Sequence, residues 1–267
     1  MSWAALSEDD KDIFLADDFI DLKEAGAKRQ GCQVLCAALH KIFPRHRYAI
    51  ARRVLEVWKA EEPVRQAPAC PSEIAFAMVG AALALHLGGV ACAILLCFTG
   101  LLRISEALRL TWKDVVFSDG VIILLLGRTK RGHDEKVVLA HPQTVAWLSQ
   151  FKTQFFTDDA TRVCPISYSK VRYWLPRLCR VLRVGDLALT SHSFRRGGAS
   201  TLLHQGMPLA DIAVHGRWAS ESSCREYLRR GELFMVRFQS AIQPSAWFNI
   251  QTLSKAVFPL LSACESC

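Results

Sequence analysis

The sequence predicts a mainly α-helical protein with one small three-stranded antiparallel sheet, which is an α+β fold. Its 267 residues are 51% hydrophobic and 22% charged, which is typical of a chain that folds around an apolar core. Apolar residues recur at helical spacing on both sides of the middle of the chain. The middle contains three β-rich runs separated by turn sequences, which predict two hairpins: Val115–Phe117, Val121–Leu126 and Lys136–Leu139.

Residues 1–62 predict a separate helical domain. Its expected helices are Asp10–Lys28, Gln33–Ile42 and Tyr48–Ala60. The third helix has an apolar stripe of Ile50, Val54, Val57 and Trp58. Its other face and the residues before it are basic, which is typical of a solvated surface: Arg45, Arg47, Arg52 and Arg53. Residues 63–71 contain three prolines and predict a linker.

The region after the linker begins with a long uncharged run from Ile74 to Leu102, in which His86 is the only titratable group apart from cysteine thiols. Its length would suffice for a membrane span. Gly88 and Gly89 divide it, which favours two buried helices over one span. Further helices are expected over 105–110 and, beyond the sheet, over 142–155, 168–183, 193–204, 208–215 and 221–230.

The charge and cysteine content narrow the function classes. The formal net charge is +8 and the pI is about 9.1, which favours an anionic partner such as nucleic acid. Ten cysteines are scattered through apolar stretches and no secretory signal is visible, so reduced thiols and an intracellular location are expected. Cys264 and Cys267 have zinc-ligand spacing, but no second pair accompanies them, so no metal is predicted.

Four short motifs carry side chains suited to phosphate chemistry. Arg103 and Glu106 share one face of a helix start. Lys130 lies in the basic turn Gly127–Gly132 between two predicted strands. His192 and Arg195 are three residues apart at another helix start, where free N–H groups favour anions. The fourth motif contains Trp218 and, nine residues later, Tyr227 in an arginine-rich helix.

Taken in order, these motifs over residues 72–235 resemble the tyrosine recombinase (phage integrase) family. That family has an Arg with an acidic residue three later, a hairpin Lys, His-x-x-Arg, a His or Trp, and a nucleophilic Tyr nine residues on. Trp218 and the hairpin sequence are similar to Cre-like members and to recombinases of eukaryotic mobile elements. The resemblance implies a catalytic domain at 72–235, preceded by a short helical DNA-binding domain at 1–62. It also implies that the tail, residues 236–267, docks on a neighbouring protomer.

The resemblance further implies a mechanism and a set of residue roles. Tyr227 would attack a DNA phosphate and form a 3′-phosphotyrosine, while Arg103 and Arg195 bind the non-bridging oxygens. Lys130 would protonate the leaving 5′-oxygen, and His192 would act as general base or acid. Glu106 would orient its neighbours, and Trp218 would pack against and hydrogen-bond the phosphate. The bond energy is kept in the phosphotyrosine, so no cofactor is expected.

Double-stranded DNA is the expected partner, bound by a homo-oligomer, a tetramer on paired sites, in the nucleus of a eukaryote or the nucleoid of a bacterium. DNA contacts are expected from Arg45, Arg47, Arg52, Arg53, Arg128, Arg131, Arg196 and Arg217. Two related functions stay open: a non-catalytic DNA-binding protein descended from such an enzyme, and a type IB topoisomerase-like activity. A membrane protein built on Ile74–Leu102 is the remaining alternative.

Overall fold

The computed structural model describes residues 3, 6–62, 67–127, 134–155, 158–184, 187–225, 227–228 and 242–263. Contacts divide the chain into two compact units, Met1–Gln66 and Ala67–Cys267. Each unit has its own hydrophobic core.

The first unit contains three helices, α1 (Glu8–Glu24), α2 (Arg29–Ile42) and α3 (Ala49–Glu61). Ser7 caps α1, because its hydroxyl accepts a hydrogen bond from the backbone N–H of Asp10 at 3.1 Å. The core of this unit includes Phe19 of α1, which is fully buried, and Trp58 of α3. All three predicted helices are present, but α1 ends at Glu24 and not at Lys28, and α2 begins at Arg29 and not at Gln33.

The face that α3 turns to the core differs from the predicted stripe. Ala51, Leu55 and Trp58 are buried, whereas Ile50 and Val57 are 47% and 44% exposed. The Asp12 carboxylate of α1 accepts hydrogen bonds from the backbone N–H groups of Ile50 and Ala51 at 2.8 and 2.9 Å, so the start of α3 is fixed against α1. Helix α3 is thus rotated relative to the predicted stripe, and the rotation occurs together with these hydrogen bonds to α1. The four arginines of the predicted basic surface are all exposed: Arg45, Arg47, Arg52 and Arg53.

The second unit contains the small sheet within a helical domain. Its strands are β1 (Val115–Ser118), β2 (Val121–Gly127) and β3 (Glu135–Leu139), antiparallel in the order β1-β2-β3. The helices are α4 (Ser72–Ala84), α5 (Gly88–Thr99), α6 (Ile104–Ala107), α7 (Pro142–Phe155), α8 (Tyr168–Val181), α9 (Ser191–His204), α10 (Leu209–His215) and a C-terminal helix (Pro244–Ala263). The α+β prediction is confirmed.

The uncharged run forms the buried helices α4 and α5. Every residue of α5 from Val90 to Phe98 is buried, and the helix packs against α4, α7 and α9. The run is interrupted between Leu85 and Leu87, close to the glycine pair. Across the described ranges, no helix combines the length and apolarity of a membrane span.

Two glycines allow α9 to lie against backbone that any side chain would clash with. A Cβ atom at Gly197 would lie 1.9 Å from the Cys70 carbonyl oxygen, and one at Gly198 equally close to that of Phe98. The Cys70 N–H also donates to the Ser193 carbonyl at 2.9 Å. These contacts fix the N-terminal half of α9, which carries His192 and Arg195.

The C-terminal helix packs on α4 of its own chain. Val257 is buried, and a Cβ atom at Gly80 of α4 would lie 2.7 Å from its Cγ2. The sequence predicts instead that this tail docks on a neighbouring protomer. Ala246, Ile250 and Val257 are buried within the chain, whereas Phe248 is 67% exposed, and self-association stays a prediction.

All eight cysteines within the described residues are free and buried: Cys32, Cys36, Cys70, Cys92, Cys97, Cys164, Cys179 and Cys224. Burial raises the pKa of several of these thiols, to about 11 for Cys179. They behave as small apolar core residues. Cys264 and Cys267, the pair with zinc-ligand spacing, lie outside the described residues.

Candidate active site

Arg103 and Glu106 meet at the start of α6, as their spacing predicts. The backbone N–H of Arg103 donates to Glu106 Oε2 at 2.7 Å, and its guanidinium Nη1 donates to Oε1 at 2.6 Å. The Glu106 side chain is buried, whereas that of Arg103 is 30% exposed. Arg103 is therefore held by the carboxylate while part of its guanidinium group faces solvent.

Two further guanidinium groups approach the same carboxylate. Arg217 Nη2 lies 2.5 Å from Glu106 Oε2, and Arg195 Nη1 lies 3.8 Å from it. Burial alone would raise the pKa of Glu106, but the charge of Arg217 and the hydrogen bonds from Arg103 lower it below its usual value. Glu106 is therefore ionised at neutral pH and balances part of the positive charge.

Arg195 is a buried guanidinium with one donor available for a ligand. Its Nη2 donates to the Gly216 carbonyl, while its Nη1 has no hydrogen-bond partner among the described residues. Burial, with the nearby charges of Arg103 and Arg217, lowers the pKa of Arg195 to about 10. Burying a charged donor without a hydrogen bond costs folding free energy unless an anion binds to it, so this position suits a phosphate.

His192 lies in the first turn of α9, one turn before Arg195. Thr190 caps this helix, and its backbone N–H donates to the Ser193 hydroxyl at 3.0 Å. Partial desolvation and the charges of Arg195 and Arg196 lower the pKa of His192. Its imidazole is therefore neutral at neutral pH and can accept a proton.

Trp218 and Tyr227 are brought beside this cluster. A Cβ atom at Gly216 would lie 1.6 Å from the Trp218 ring, so only glycine permits this ring position. The Arg195 guanidinium carbon lies 4.8 Å from the centre of the Trp218 ring, and the Trp218 and Tyr227 ring centres are 5.1 Å apart. The Tyr227 hydroxyl donates to the His192 backbone carbonyl over a long 3.4 Å.

The environment of Tyr227 sets its acidity. Burial raises the pKa of the phenol, and the positive charges of Arg195 and Arg196 oppose this rise. The guanidinium carbon of Arg196 lies 4.4 Å from the centre of the Tyr227 ring. Tyr227 is thus protonated at neutral pH and needs a base to act as a nucleophile.

Six of the seven predicted catalytic residues converge in this way: Arg103, Glu106, His192, Arg195, Trp218 and Tyr227. Lys130, the seventh, and the predicted DNA contacts Arg128 and Arg131 lie outside the described residues. The two ends of their loop are described, because Gly127 of β2 pairs with Glu135 of β3. In the part of the chain that the structure covers, no three His, Cys, Asp or Glu side chains are grouped as metal ligands.

Arg196 and Arg217 differ from their prediction as DNA contacts. Both side chains are buried and have partners inside the protein. Arg196 Nη1 donates to the Ala67 carbonyl, and Arg217 pairs with Glu106. Arg217 also lies 3.4 Å, through Nε, from Glu135 Oε2. The sequence did not predict that Arg217 pairs with Glu106 inside the protein, or that Glu135 is its second partner. The only signal was the position of Arg217 directly before Trp218.

The fold is shared with tyrosine recombinases of known structure. XerH site-specific recombinase bound to difH substrate, in a pre-cleavage complex, gives a TM-score of 0.54 at 17% identity, over 87% of this chain and 70% of that one. The Tn1549 transposon integrase in complex with transposon right end DNA gives 0.55 at 16% identity, over 88% and 86%. At such identities the likeness shows the fold alone.

The sequence itself gives the family. No curated protein matches the chain. The profile of the Phage integrase family matches residues 89–232, which contain every predicted catalytic residue. That match covers more than half of the 267 residues, and the fold agrees with it. The chain therefore belongs to the phage integrase family.

Proposed function

We propose that this protein is a DNA strand-transferring recombinase that cleaves and rejoins DNA through a 3′-phosphotyrosine on Tyr227. One observation carries the proposal: the Tyr227 hydroxyl lies beside His192 and Arg195, and Arg195 Nη1 is a buried donor without a hydrogen bond among the described residues. A nucleophile, a neutral imidazole and an incomplete anion site thus occur together. The membership of the phage integrase family agrees with DNA recombination.

In the cleavage step the Tyr227 oxygen attacks phosphorus and the bond to the 5′-oxygen breaks. The neutral imidazole of His192 accepts the phenol proton. Lys130 donates a proton to the leaving 5′-oxygen, so both proton transfers balance. Rejoining is the reverse reaction, in which the 5′-hydroxyl of another strand attacks the phosphotyrosine.

Arg103 and Arg195 stabilise the charge that develops on the non-bridging oxygens. Arg195 is buried, so its interaction with an oxyanion is stronger than in water. Arg103 is partly exposed, and its guanidinium group is oriented by the ion pair with Glu106. Removing one such donor typically costs about 3–4 kcal/mol of transition-state stabilisation.

DNA would be held by phosphate contacts from exposed basic side chains and by a tetramer that pairs two sites. Arg45, Arg47, Arg52 and Arg53 of the first unit are exposed and suit this role. The structures of XerH and of the Tn1549 integrase contain DNA, which supports DNA as the partner.

The test uses a nicked duplex library, because the target sequence has to be found. Duplexes with randomised arms and a nick beside the candidate phosphate lose the short 5′-hydroxyl strand after cleavage, which traps the covalent adduct. We expect an adduct that survives denaturant and is absent in Tyr227→Phe. Tyr168→Phe, at a half-exposed tyrosine of α8, is the matched control and keeps the adduct.

Three outcomes would contradict the proposal. An adduct that persists in Tyr227→Phe would assign another nucleophile. Salt-sensitive binding without an adduct in the unmodified chain would favour a non-catalytic DNA-binding protein. Relaxation of supercoiled DNA without strand exchange between two sites would favour a topoisomerase-like activity.

A further inference from the structure

Arg217 is buried at the point where three segments of the second unit meet. Its Nη2 contacts Glu106 of α6 at 2.5 Å and the Leu101 carbonyl oxygen at 3.4 Å, and its Nη1 donates to the His215 carbonyl at 3.4 Å. Its Nε lies 3.4 Å from Glu135 of β3. The backbone is left-handed here, with φ of +56°, which a non-glycine residue rarely adopts. The side chain therefore connects the turn before Trp218 with α6 and β3.

Glu135 is the first residue of β3 and stands at the base of the β2–β3 hairpin. It pairs with Gly127, the last residue of β2, next to a register shift between Leu125 and Gly127. Gly127 has φ of +59° and Asp134 has φ of +58°. In the sequence, Lys130 lies between these two paired ends. What fixes Glu135 therefore fixes the base from which the lysine extends.

The contacts of Arg217 use the shape of the guanidinium group. Its Nη2 donates a hydrogen bond to the Glu106 carboxylate, while its Nε forms an ion pair with Glu135 at 3.4 Å and has no hydrogen bond among the described residues. A lysine ammonium is a single point charge on a flexible stem and does not reproduce two fixed directions. The arrangement links a residue that orients the phosphate-binding Arg103 to the hairpin base.

Stability alone does not account for this arrangement. Taking ions out of water costs free energy that their attraction often fails to return, and apolar groups of similar volume are frequently as stable. A second carboxylate beside the same guanidinium adds to this cost. Buried ion pairs are better attested as devices that fix one arrangement of neighbouring elements.

We propose that Arg217 is a positioning residue that holds the base of the β2–β3 hairpin against Glu106 and so sets where the hairpin lysine delivers its proton. This inference rests on the proposed function, since it assigns the effect of Arg217 to protonation of the leaving 5′-oxygen. Arg217 itself touches neither the phosphate nor the nucleophile in this proposal.

The test separates proton delivery from phosphate binding. A duplex of the sequence recovered from the nicked library is made with a 5′-bridging oxygen or with sulfur at that atom. A thiolate is a far weaker base than an alkoxide and leaves without a proton. We expect Arg217→Lys to cleave the oxygen substrate about ten- to a hundredfold more slowly than the unmodified chain in single turnover. This loss of rate is smaller than the largest losses caused by removing a general acid. On the sulfur substrate, the cleavage rate of Arg217→Lys should be within about threefold of the rate of the unmodified chain.

Three control variants are measured on the oxygen and the sulfur substrate. Lys130→Ala should lose more activity on oxygen and recover on sulfur, whereas Arg195→Lys should be slow on both substrates. Arg109→Gln, at an exposed arginine near α6, should match the unmodified chain on both. Equal slowing of Arg217→Lys on the two substrates, or no slowing, would overturn the proposal.

A milder variant and a DNA-free measurement keep the proposal falsifiable if Arg217→Lys folds poorly or no adduct forms. Glu135→Gln, at the partly exposed end of the contact, should show the same recovery on sulfur, and the double variant should lose no more than Arg217→Lys alone. Hydrogen exchange should become faster at the β3 amides in either single variant and stay unchanged in α9. Unchanged β3 exchange would overturn the proposal, whereas a missing adduct with faster β3 exchange would contradict only the proposed function.

Discussion

Gly198→Ala tests whether α9 lies directly on the backbone of α5. The new Cβ would lie 1.9 Å from the Phe98 carbonyl oxygen and 2.8 Å from Leu101 Cδ2. Overpacking of this kind costs about 1–3 kcal/mol, and here the upper end applies because a backbone atom has to move. Alanine returns about 1 kcal/mol through its higher helix propensity. The net expectation is a loss of about 2 kcal/mol.

The assay is thermal and urea unfolding of the full chain. For a unit of this size, 1 kcal/mol corresponds to about 2–4 °C in Tm, so Gly198→Ala should unfold about 4–8 °C lower. Gly31→Ala is the matched control, because a Cβ there has nothing within 4 Å; it should stabilise the first unit by up to about 1 kcal/mol. A Tm of the second unit that stays unchanged or rises in Gly198→Ala would refute the close approach of the two helices.

Three other predictions concern the carboxylate, the tail and the basic surface. Glu106→Gln should cost about 3 kcal/mol near neutral pH, since it leaves buried guanidinium groups uncompensated. The pKa of Glu106 is lowered on folding, so its contribution is present above its usual pKa of 4.5 and disappears as the pH falls through the folded value. Urea titrations from pH 7 to 3 should therefore show the two chains converging in acid, and a constant gap would contradict this. Val257→Ala should cost about 2 kcal/mol in the same assay, and no change would mean that the C-terminal helix does not pack on α4 in solution. Each arginine that contacts phosphate should lower the slope of log Kobs against log salt by about 0.9 when changed to Gln, and an unchanged slope would remove that residue from the DNA surface: Arg45, Arg47, Arg52 or Arg53.

Local sequence patterns predicted the elements and most of the candidate site. The strands and the helices from α4 to α10 occur close to their expected bounds, because hydrophobic periodicity and turn residues act over short distances. Arg103 and Glu106 are three residues apart, so their contact is a property of one helix turn. The grouping of His192, Arg195 and Tyr227 was inferred from motif order, and the fold brings them together.

The parts that sequence did not predict depend on distant contacts. Arg217 was expected to contact DNA, yet it is buried and pairs with Glu106, which is 111 residues away. The rotation of α3, which exposes Ile50 and Val57, accompanies hydrogen bonds to Asp12 of another helix. A helical wheel shows an apolar stripe but not which neighbour competes for it.

The buried thiols make the protein its own reporter of local opening. Only an exposed thiolate reacts with an alkylating reagent, so each cysteine is labelled at the rate at which its surroundings transiently open. Cys32 and Cys36 report on the first unit, and the other buried cysteines report on the second. Cys224 lies three residues before Tyr227, so its labelling rate follows the segment that carries Tyr227. Mass spectrometry of the unmodified chain can thus time the opening of each unit without an added probe.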